Sequence, residues 1–537
     1  MHRCLWISEI VANIANEIEQ EGWDEKCSTL AKLARTCRMF SEPSLNSLWR
    51  VQKTLVPVLR TMPADLWRID AGLMVSSMVA SLTDIVYVQL TMLLRQRPNR
   101  PIKPTDWSRF QTYSTRIHHF ICDESYDEFP SHEGLQALVC AKPPNIVSFF
   151  SSVQRLDWHR LVKPSDEAFQ CMPFFMSAAT QRITFTLDGL GETGMSLVRS
   201  ILYNFPGVRH VDIQGFHDRN RSETEDALSE LFSHGQDLCD VKIGGSLPQI
   251  ILKHLAGFEH LKRLAIGVND NSLSTQVSGF HALENLRVFS KTFRITSRLI
   301  PMLKSPLDTV YLAILCGVEE PQELANIFEL MKLHLSHPHL RKLTIRTCHS
   351  SLEPPGTHID HKALQHLFVF SNLSHVELLV EAPMCFNNTT VLEMVSAWPQ
   401  LSCLILGLRG RIRKASITPA GLIPLFCLPR LIKISIAIDG LTIDASPQHT
   451  TSRTHISVLR SLDLQNSAIS EAEPMAAFLS KFAPNLKDIR SWGHNGVYGS
   501  WATRELTEEY KRRWKEVARL VPLFAAAQEE GGTGRPS

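Results

Sequence analysis

His337-Pro338-His339-Leu340-Arg341-Lys342-Leu343-Thr344-Ile345 holds the phrase on which the reading of this chain turns. A proline turn leads into a leucine, then two basic residues, then a second leucine, after which apolar and polar residues alternate. Period-two alternation bounded by a turn is the pattern of a half-buried strand. The phrase returns as Phe205-Pro206-Gly207-Val208-Arg209-His210-Val211-Asp212-Ile213 and as Trp398-Pro399-Gln400-Leu401-Ser402-Cys403-Leu404-Ile405-Leu406. Shorter copies are Val458-Leu459-Arg460-Ser461-Leu462-Asp463-Leu464 and Pro484-Asn485-Leu486-Lys487-Asp488-Ile489. The first apolar anchors are Val208, Leu238, Leu261, Leu286, Leu307, Leu340, Leu373, Leu401, Leu431, Leu459 and Leu486, spaced 21 to 33 residues apart.

Between anchors lie helix-like segments such as Thr390 to Ala397. Each unit then has one apolar strand edge and one apolar helix stripe, and neither can be buried alone. Stacking the units as parallel strands inside and helices outside buries both. The fold class expected for residues 145–500 is therefore α/β, an irregular leucine-rich-repeat-like solenoid. The repeats are degenerate, because the consensus Asn after the strand is mostly missing. A doubly wound parallel sheet also alternates strand and helix. It ranks lower because the unit repeats about a dozen times without a Gly-rich phosphate loop. Residues 501–526 read as a capping helix with Leu506, Tyr510, Trp514, Val517, Val521 and Phe524 on one face. The pairs Glu508–Arg512 and Glu509–Arg513 lie on the other. Residues 527–537 turn Glu- and Gly-rich and read as a disordered tail.

Residues 1–50 carry three short amphipathic helices. Ile7, Ile10, Val11, Ile14 and Ile18 share a face of the first, with Ser8 at its N-cap. Leu30, Leu33, Ala34 and Cys37 mark a second helix ending near Phe40. Ser41, Glu42 and Pro43 open a third with Leu45, Leu48 and Trp49. Three helices this short cannot bury all that apolar surface among themselves, so part of it should face a partner or the next domain.

Leu5-Trp6-Ile7-Ser8-Glu9-Ile10-Val11, then Leu30 to Phe40, then Leu48-Trp49-Arg50, resemble the F-box of a fungal, basidiomycete-type family of F-box and leucine-rich-repeat proteins. Pro104-Thr105-Asp106-Trp107-Ser108-Arg109-Phe110, followed by Tyr113, resembles the same family. The resemblance implies that the module packs on a Skp-type adaptor and through it joins a cullin–RING ubiquitin ligase. It implies adaptor-binding roles for Leu5, Ile7, Ser8, Ile10, Ile14, Leu30, Leu33, Cys37, Leu48 and Trp49. Ser8 stands where the family's Leu-x-x-Pro-Glu-Ile variant has proline, which implies a weakened interface.

Residues 51–144 read as a helical connector with an atypical apolar insertion at 71–98. Three readings compete for Gly72 to Leu94. It is a buried helix, from the helical steps of Leu73, Met74, Met78, Leu82, Ile85 and Val86. It is a membrane span, against which Asp84 at mid-segment weighs by about 2.5–3.5 kcal/mol. Or it is translated intron sequence that the fold tolerates as a disordered loop, the reading favoured by the family match on both sides.

The chain has 537 residues, 44% apolar and 20% charged, and a formal net charge of +2 from 56 Lys+Arg against 54 Asp+Glu. Nothing in that balance steers it to nucleic acid or to an acidic membrane, and neither partner is expected. Twelve cysteines occur without a CxxC or a paired framework, as in reduced intracellular chains. The first residues lack the apolar core of a signal peptide, so cytosol or nucleus is expected and the sequons at Asn387 and Asn388 should be unused.

No HExxH, GxSxG or Cys-His signature appears, and neither a catalytic residue, a metal nor a cofactor is expected. Gly189-Leu190-Gly191-Glu192-Thr193-Gly194 lacks the Lys-Ser/Thr of a phosphate loop and reads as a plain turn. His118 and His119 with Cys122 and Asp123 match no zinc spacing and read as surface or packing residues on a helix. His358 and His361 around Asp360 read the same way. An α/β enzyme would need a pocket of convergent titratable groups that the sequence does not display.

The useful surface is instead the inner strand face. Arg209, His210, Lys262, Arg263, Thr344 and Glu377 fall at or near it. Arg287, Arg341, Lys342, Arg346, His375 and Arg460 are its candidate target-binding residues. Their basic bias suits an acidic peptide or a phosphorylated motif. The expected function is a substrate-recognition adaptor of a Skp–cullin–F-box-type ligase. The alternative is a repeat scaffold or sensor whose F-box-like helices no longer bind the adaptor.

Overall fold

The structure is a computed structural model that describes all residues except 1–6, 19–21, 79–86, 124–127, 160–165, 216–220, 274–278, 316–321, 348–357, 381, 408–414, 444–456, 493–502 and 534–537. The chain forms two compact units, Met1–Gly245 and Ser246–Ser537.

The first unit opens with helices Ser8–Ile18, Trp23–Ala34 and Arg38–Arg50. Val11, Ala15, Leu30 and Phe40 are buried among them. Two local expectations change. Ile7, not Ser8, precedes the first helix, accepting the Ile10 and Val11 amides, and the Ser8 hydroxyl donates to Glu9 at 3.2 Å. The third helix starts at Arg38 with Cys37 as its N-cap, so Pro43 lies inside it and not in its first turn.

From Val51 onward parallel strands accumulate. Val51–Gln52, His119–Asp123, Arg155–His159, Arg182–Thr186, His210–Gln214 and Asp240–Ser246 follow in chain order. Phe120, Leu156, Ile183, Val211 and Val241 stand side by side across five of them. All five are buried, as are Ile117, Val153, Thr180, Val208 and Leu238, each three residues earlier. The repeat therefore begins well before residue 145. The copy at Thr180 is hidden because its anchor is polar, its hydroxyl donating to the Val153 carbonyl at 3.1 Å.

Of the segment read as a helix, a membrane span or an inserted loop, the described residues are strands, and residues 79–86 lie outside the description. Trp67–Met78 and Tyr87–Pro98 pair as an antiparallel hairpin, and Tyr87–Pro98 also pairs in parallel with Glu128–Pro130. Helical spacing and alternation are hard to tell apart in a continuous apolar run. No helix among the described residues is long and apolar enough to cross a membrane.

In the second unit nine strands run parallel in chain order, from Arg263–Val268 to Asp488–Arg490. One row joins Leu264, Leu286, Val310, Leu343, Val376, Leu404, Ile434, Leu462 and Ile489. The anchors named from the sequence sit three residues ahead of this row and are buried. The exception is Leu286, which lies in the row itself; the residue at the turn is Leu283, also buried. Strand order that follows the chain without reversal rules against a doubly wound sheet, whose order reverses at a switch point.

Helices between the strands bury one stripe each, as Leu324, Ile327, Phe328 and Met331 do in Glu323–His334. Asn387 caps the helix that follows it, accepting the Thr390 amide at 3.0 Å. The chain closes with helix Arg504–Thr533, which runs into the stretch expected as a disordered tail. Tyr510, Trp514, Val517 and Val521 are buried on it, whereas Leu506 is exposed and Thr507 takes the inward position. Arg513 pairs with Glu509 as expected, while Glu508 pairs with Lys511 at 3.6 Å and not with Arg512.

Candidate functional site: two surfaces for protein partners

The first surface lies on the three-helix module. Ile7 is 47% exposed, and Ile10, Ile14, Leu33, Cys37 and Leu48 are half-buried. Ser8 is exposed as well. Leu30 is 0% exposed and belongs to the module's interior, so it is removed from the candidate surface. Helix spacing explains this: Leu30 faces the module's own core, whereas Leu33 falls toward its flank. Leu5 lies outside the described residues.

Trp49 has a role the sequence did not disclose. Its ring packs against Tyr113 of helix Trp107–Ser114, with centroids 4.7 Å apart. Arg116 reinforces that joint, holding Glu42 at 2.7 Å and bonding Asn46 as well. Hydrogen bonding to Arg116 lowers the Glu42 carboxyl below the usual carboxylate range. Tyr113 ends the stretch from Pro104 that the sequence singles out, but nothing in the sequence ties it to Trp49.

The second surface is the exposed strand face of the second unit. Arg263, Asn285, Thr309, Lys342 and His375 form one transverse row. Ala265, Arg287, Tyr311, Thr344 and Glu377 form the next. Gly267, Phe289, Ala313, Arg346 and Leu379 form a third. Arg287, Lys342, Arg346 and His375 are thus brought onto one patch of four or five strands. Arg341 stands just ahead of it, paired with Asp308 at 3.6 Å. Arg460 does not join: its strand is four places beyond that of Lys342, roughly 20 Å away at normal strand spacing.

The basic bias is smaller than the sequence implied. Lys262 pairs with Glu284 at 2.8 Å, and on the first unit's own face Lys242 meets Asp212 at 3.4 Å. Arg209 and His210 lie on that first unit, where His210 sits 3.6 Å from Asp240. His375 is held by the Ser402 and Ser374 hydroxyls at 3.2 and 3.4 Å. Burial pushes its pKa down, Lys342 adds to this, and Glu377 opposes.

Several of the residues weighed for chemistry have partners within the fold. His119 lies on a strand, not a helix, and bonds buried Asp157 at 2.7 Å, which also takes Arg155 at 2.8 Å and Thr184 at 2.7 Å. Burial raises the Asp157 carboxyl, but these three hydrogen bonds together outweigh it and hold it well below the usual range. Gly191 leads helix Glu192–Asn204, and the Asp166 carboxylate lies against the glycine turn, 2.2 Å from where a Cβ on Gly194 would be. An anion's place at that helix start is already filled by the chain's own carboxylate. His361 bonds Gln365 at 2.6 Å, and Asp360 caps the helix beginning there. Among the described residues no group of three His, Cys, Asp or Glu side chains converges as a metal site.

Fold and surfaces together define an irregular leucine-rich-repeat-like solenoid preceded by a three-helix module. No family model matches the chain, and no curated protein matches its sequence. Solved structures that resemble it include a chain of the yeast Rad7–Elc1 complex, at 13% identity and a TM-score of 0.34, covering 69% of this chain and 84% of that one. The leucine-rich repeat-containing protein LegL7 from Legionella pneumophila matches at 12% identity and a TM-score of 0.26, covering 72% and 93%. The Drosophila Toll–Spatzle complex matches at 11% and 0.28, covering 74% and 61%. At these values the fold stands on the strand register itself.

Proposed function

We propose that this chain is the substrate-recognition adaptor of a Skp–cullin–F-box-type ubiquitin ligase, working in cytosol or nucleus. The three-helix module binds the Skp-type adaptor through Ile7, Ile10, Ile14, Leu33, Cys37 and Leu48. The strand face binds the target. The chain transfers no group itself; it raises the effective concentration of target beside the ligase. The observation that carries the reading is the uncovered apolar surface of the module. Ile7 is 47% exposed, and Ile10, Ile14, Leu33, Cys37 and Leu48 of the same module each keep part of their surface.

The test is binding of the full chain to a purified Skp-type adaptor, with Leu33→Asp and Ile14→Asp as variants. Submicromolar binding lost in both folded variants supports the reading. A well-folded chain that does not bind favours the second reading, a repeat scaffold with inherited helices. Ser8 in the proline position, its hydroxyl turned to Glu9, is what speaks for that alternative.

A further inference from the structure

Residues 401–500 hold eleven Lys and Arg against six Asp and Glu, in a chain whose total is only +2. That count includes the stretches outside the described residues, which add five cations and one acid, Asp444. The other acids are engaged or stand elsewhere. Glu471 and Glu473 open helix Ala472–Phe482, and Asp439 and Asp463 accept the Leu441 and Gln465 amides. Asp488 is held by Arg490 at 2.8 Å and by the Ser461 hydroxyl at 3.2 Å.

Four of the cations gather at the turns that lead into the last three strands. Arg430, Ile432 and Lys433 surround the anchor Leu431, Val458 and Arg460 flank Leu459, and Lys487 follows Leu486. The Arg460 amide donates to the Ile432 carbonyl and the Lys487 amide to the Arg460 carbonyl, each at 2.9 Å. Ile432, Arg460 and Lys487 therefore form one transverse row, about 5 Å from strand to strand. Arg430 and Val458 occupy the same place, just before the anchor, in neighbouring copies. Cation and aliphatic residue thus alternate along each turn and across to the next. The four cationic side chains are exposed, and among the described residues no ion pair holds any of them. Ile432 is 49% and Val458 38% exposed.

The composition of this surface selects its partner. None of the six residues is aromatic, so a nucleic acid would find no ring on which to stack its bases. About half of Ile432 and more of Val458 is held in the fold, which keeps both short of the acyl layer of a membrane. A protein segment that mixes carboxylates with aliphatic residues matches both components. Its carboxylates meet the guanidinium and ammonium groups, and its aliphatic side chains cover Ile432 and Val458.

We propose that an acidic, aliphatic-rich segment of the target protein docks across these turns, spanning Arg430, Ile432, Lys433, Val458, Arg460 and Lys487. This rests on the proposed function only in taking the repeats as the target surface; it does not require that the module bind an adaptor.

The experiment is fluorescence anisotropy on the full chain at low salt. The probe is a fluorescein-labelled peptide alternating Glu and Leu. Comparison probes replace Leu by Ser, replace Glu by Lys, or are a labelled single-stranded RNA, and phosphatidylserine vesicles are tested by co-sedimentation. The Glu-Leu peptide should bind best. Arg460→Glu or Lys487→Glu should weaken it about tenfold each, and Ile432→Ser about fivefold. Lys253→Glu, the same charge change on the exposed side of helix Gln249–Ala256, should change it by less than about twofold. Absent binding, equal loss in Arg460→Glu and Lys253→Glu, indifference to Leu against Ser, or preference for RNA or vesicles would each overturn the proposal. Adaptor binding measured on the same Arg460→Glu chain separates the two readings: it should be unchanged.

Discussion

The indole of Trp49 lies against the phenol ring of Tyr113, centroids 4.7 Å apart and planes inclined by 34°. This contact joins the last helix of the N-terminal module to the helix Trp107–Ser114. A double-mutant cycle on Trp49→Ala and Tyr113→Ala, read by urea denaturation, should give a coupling of about 0.5–1.5 kcal/mol beyond the separate losses. Strict additivity would show that the rings merely lie side by side. Adaptor binding by Trp49→Ala then reports on module placement as much as on direct contact.

Leu30 and Leu33 are three residues apart and should behave oppositely. Leu30→Ala empties a fully buried site and should lower stability by about 2–4 kcal/mol. Leu33→Ala, at a half-buried flank, should cost about 1 kcal/mol or less and act mainly on adaptor affinity. Thermal melts alongside binding isotherms check both, and equal destabilisation would misplace the surface.

Asp157 links stability to acid. Its folded carboxyl titrates below its unfolded one, because His119, Arg155 and Thr184 hydrogen-bond the ionised form against the opposing effect of burial. The stability it contributes is therefore complete above the unfolded value, near pH 4, and is lost as pH falls through the folded value. Asp157→Asn should cost about 2–4 kcal/mol at pH 7. Its disadvantage should shrink progressively below pH 4 in matched urea titrations. A gap that stays constant down to pH 2 would assign Asp157 no such role.

Trp514 seals the last repeat. It is buried, and its indole N–H and that of Trp492 both donate to the Ser467 carbonyl, at 3.0 and 2.9 Å. Trp514→Ala should remove about 3–5 kcal/mol. Amide exchange should rise first in strands Ser461–Asp463 and Asp488–Arg490, since a stacked array frays from its uncapped end.

Much of the repeat architecture was legible because one phrase recurs with buried apolar residues at fixed offsets. Leu340 and Leu343 are three apart, as are Leu401 and Leu404 or Leu459 and Leu462, and each later pair lands in the same two rows. Where the offset blurs, the pattern misleads: Leu286 reads as an anchor, but Leu283 holds the turn position. The copy anchored on Thr180 is hidden because a threonine can fill a leucine's place once a carbonyl satisfies its hydroxyl. In the apolar stretch after residue 70 the helical steps misled, because Trp67–Met78 and Tyr87–Pro98 pair as strands and pairing is not a local property of the chain.

By itself the sequence determined what each segment must bury, since alternation and helical stripes are local properties of the chain. It thereby established parallel strands, interleaved helices and a closing amphipathic helix. Only the tertiary structure decided which charges meet and which remain on a surface. Lys262 finds Glu284, Arg341 finds Asp308 and Trp49 finds Tyr113 through contacts between residues distant in the chain, whereas Phe289, Ala313 and Arg346 become neighbours only when three strands align. Pairing across strands depends on register, and register is fixed by the packing of many side chains at once.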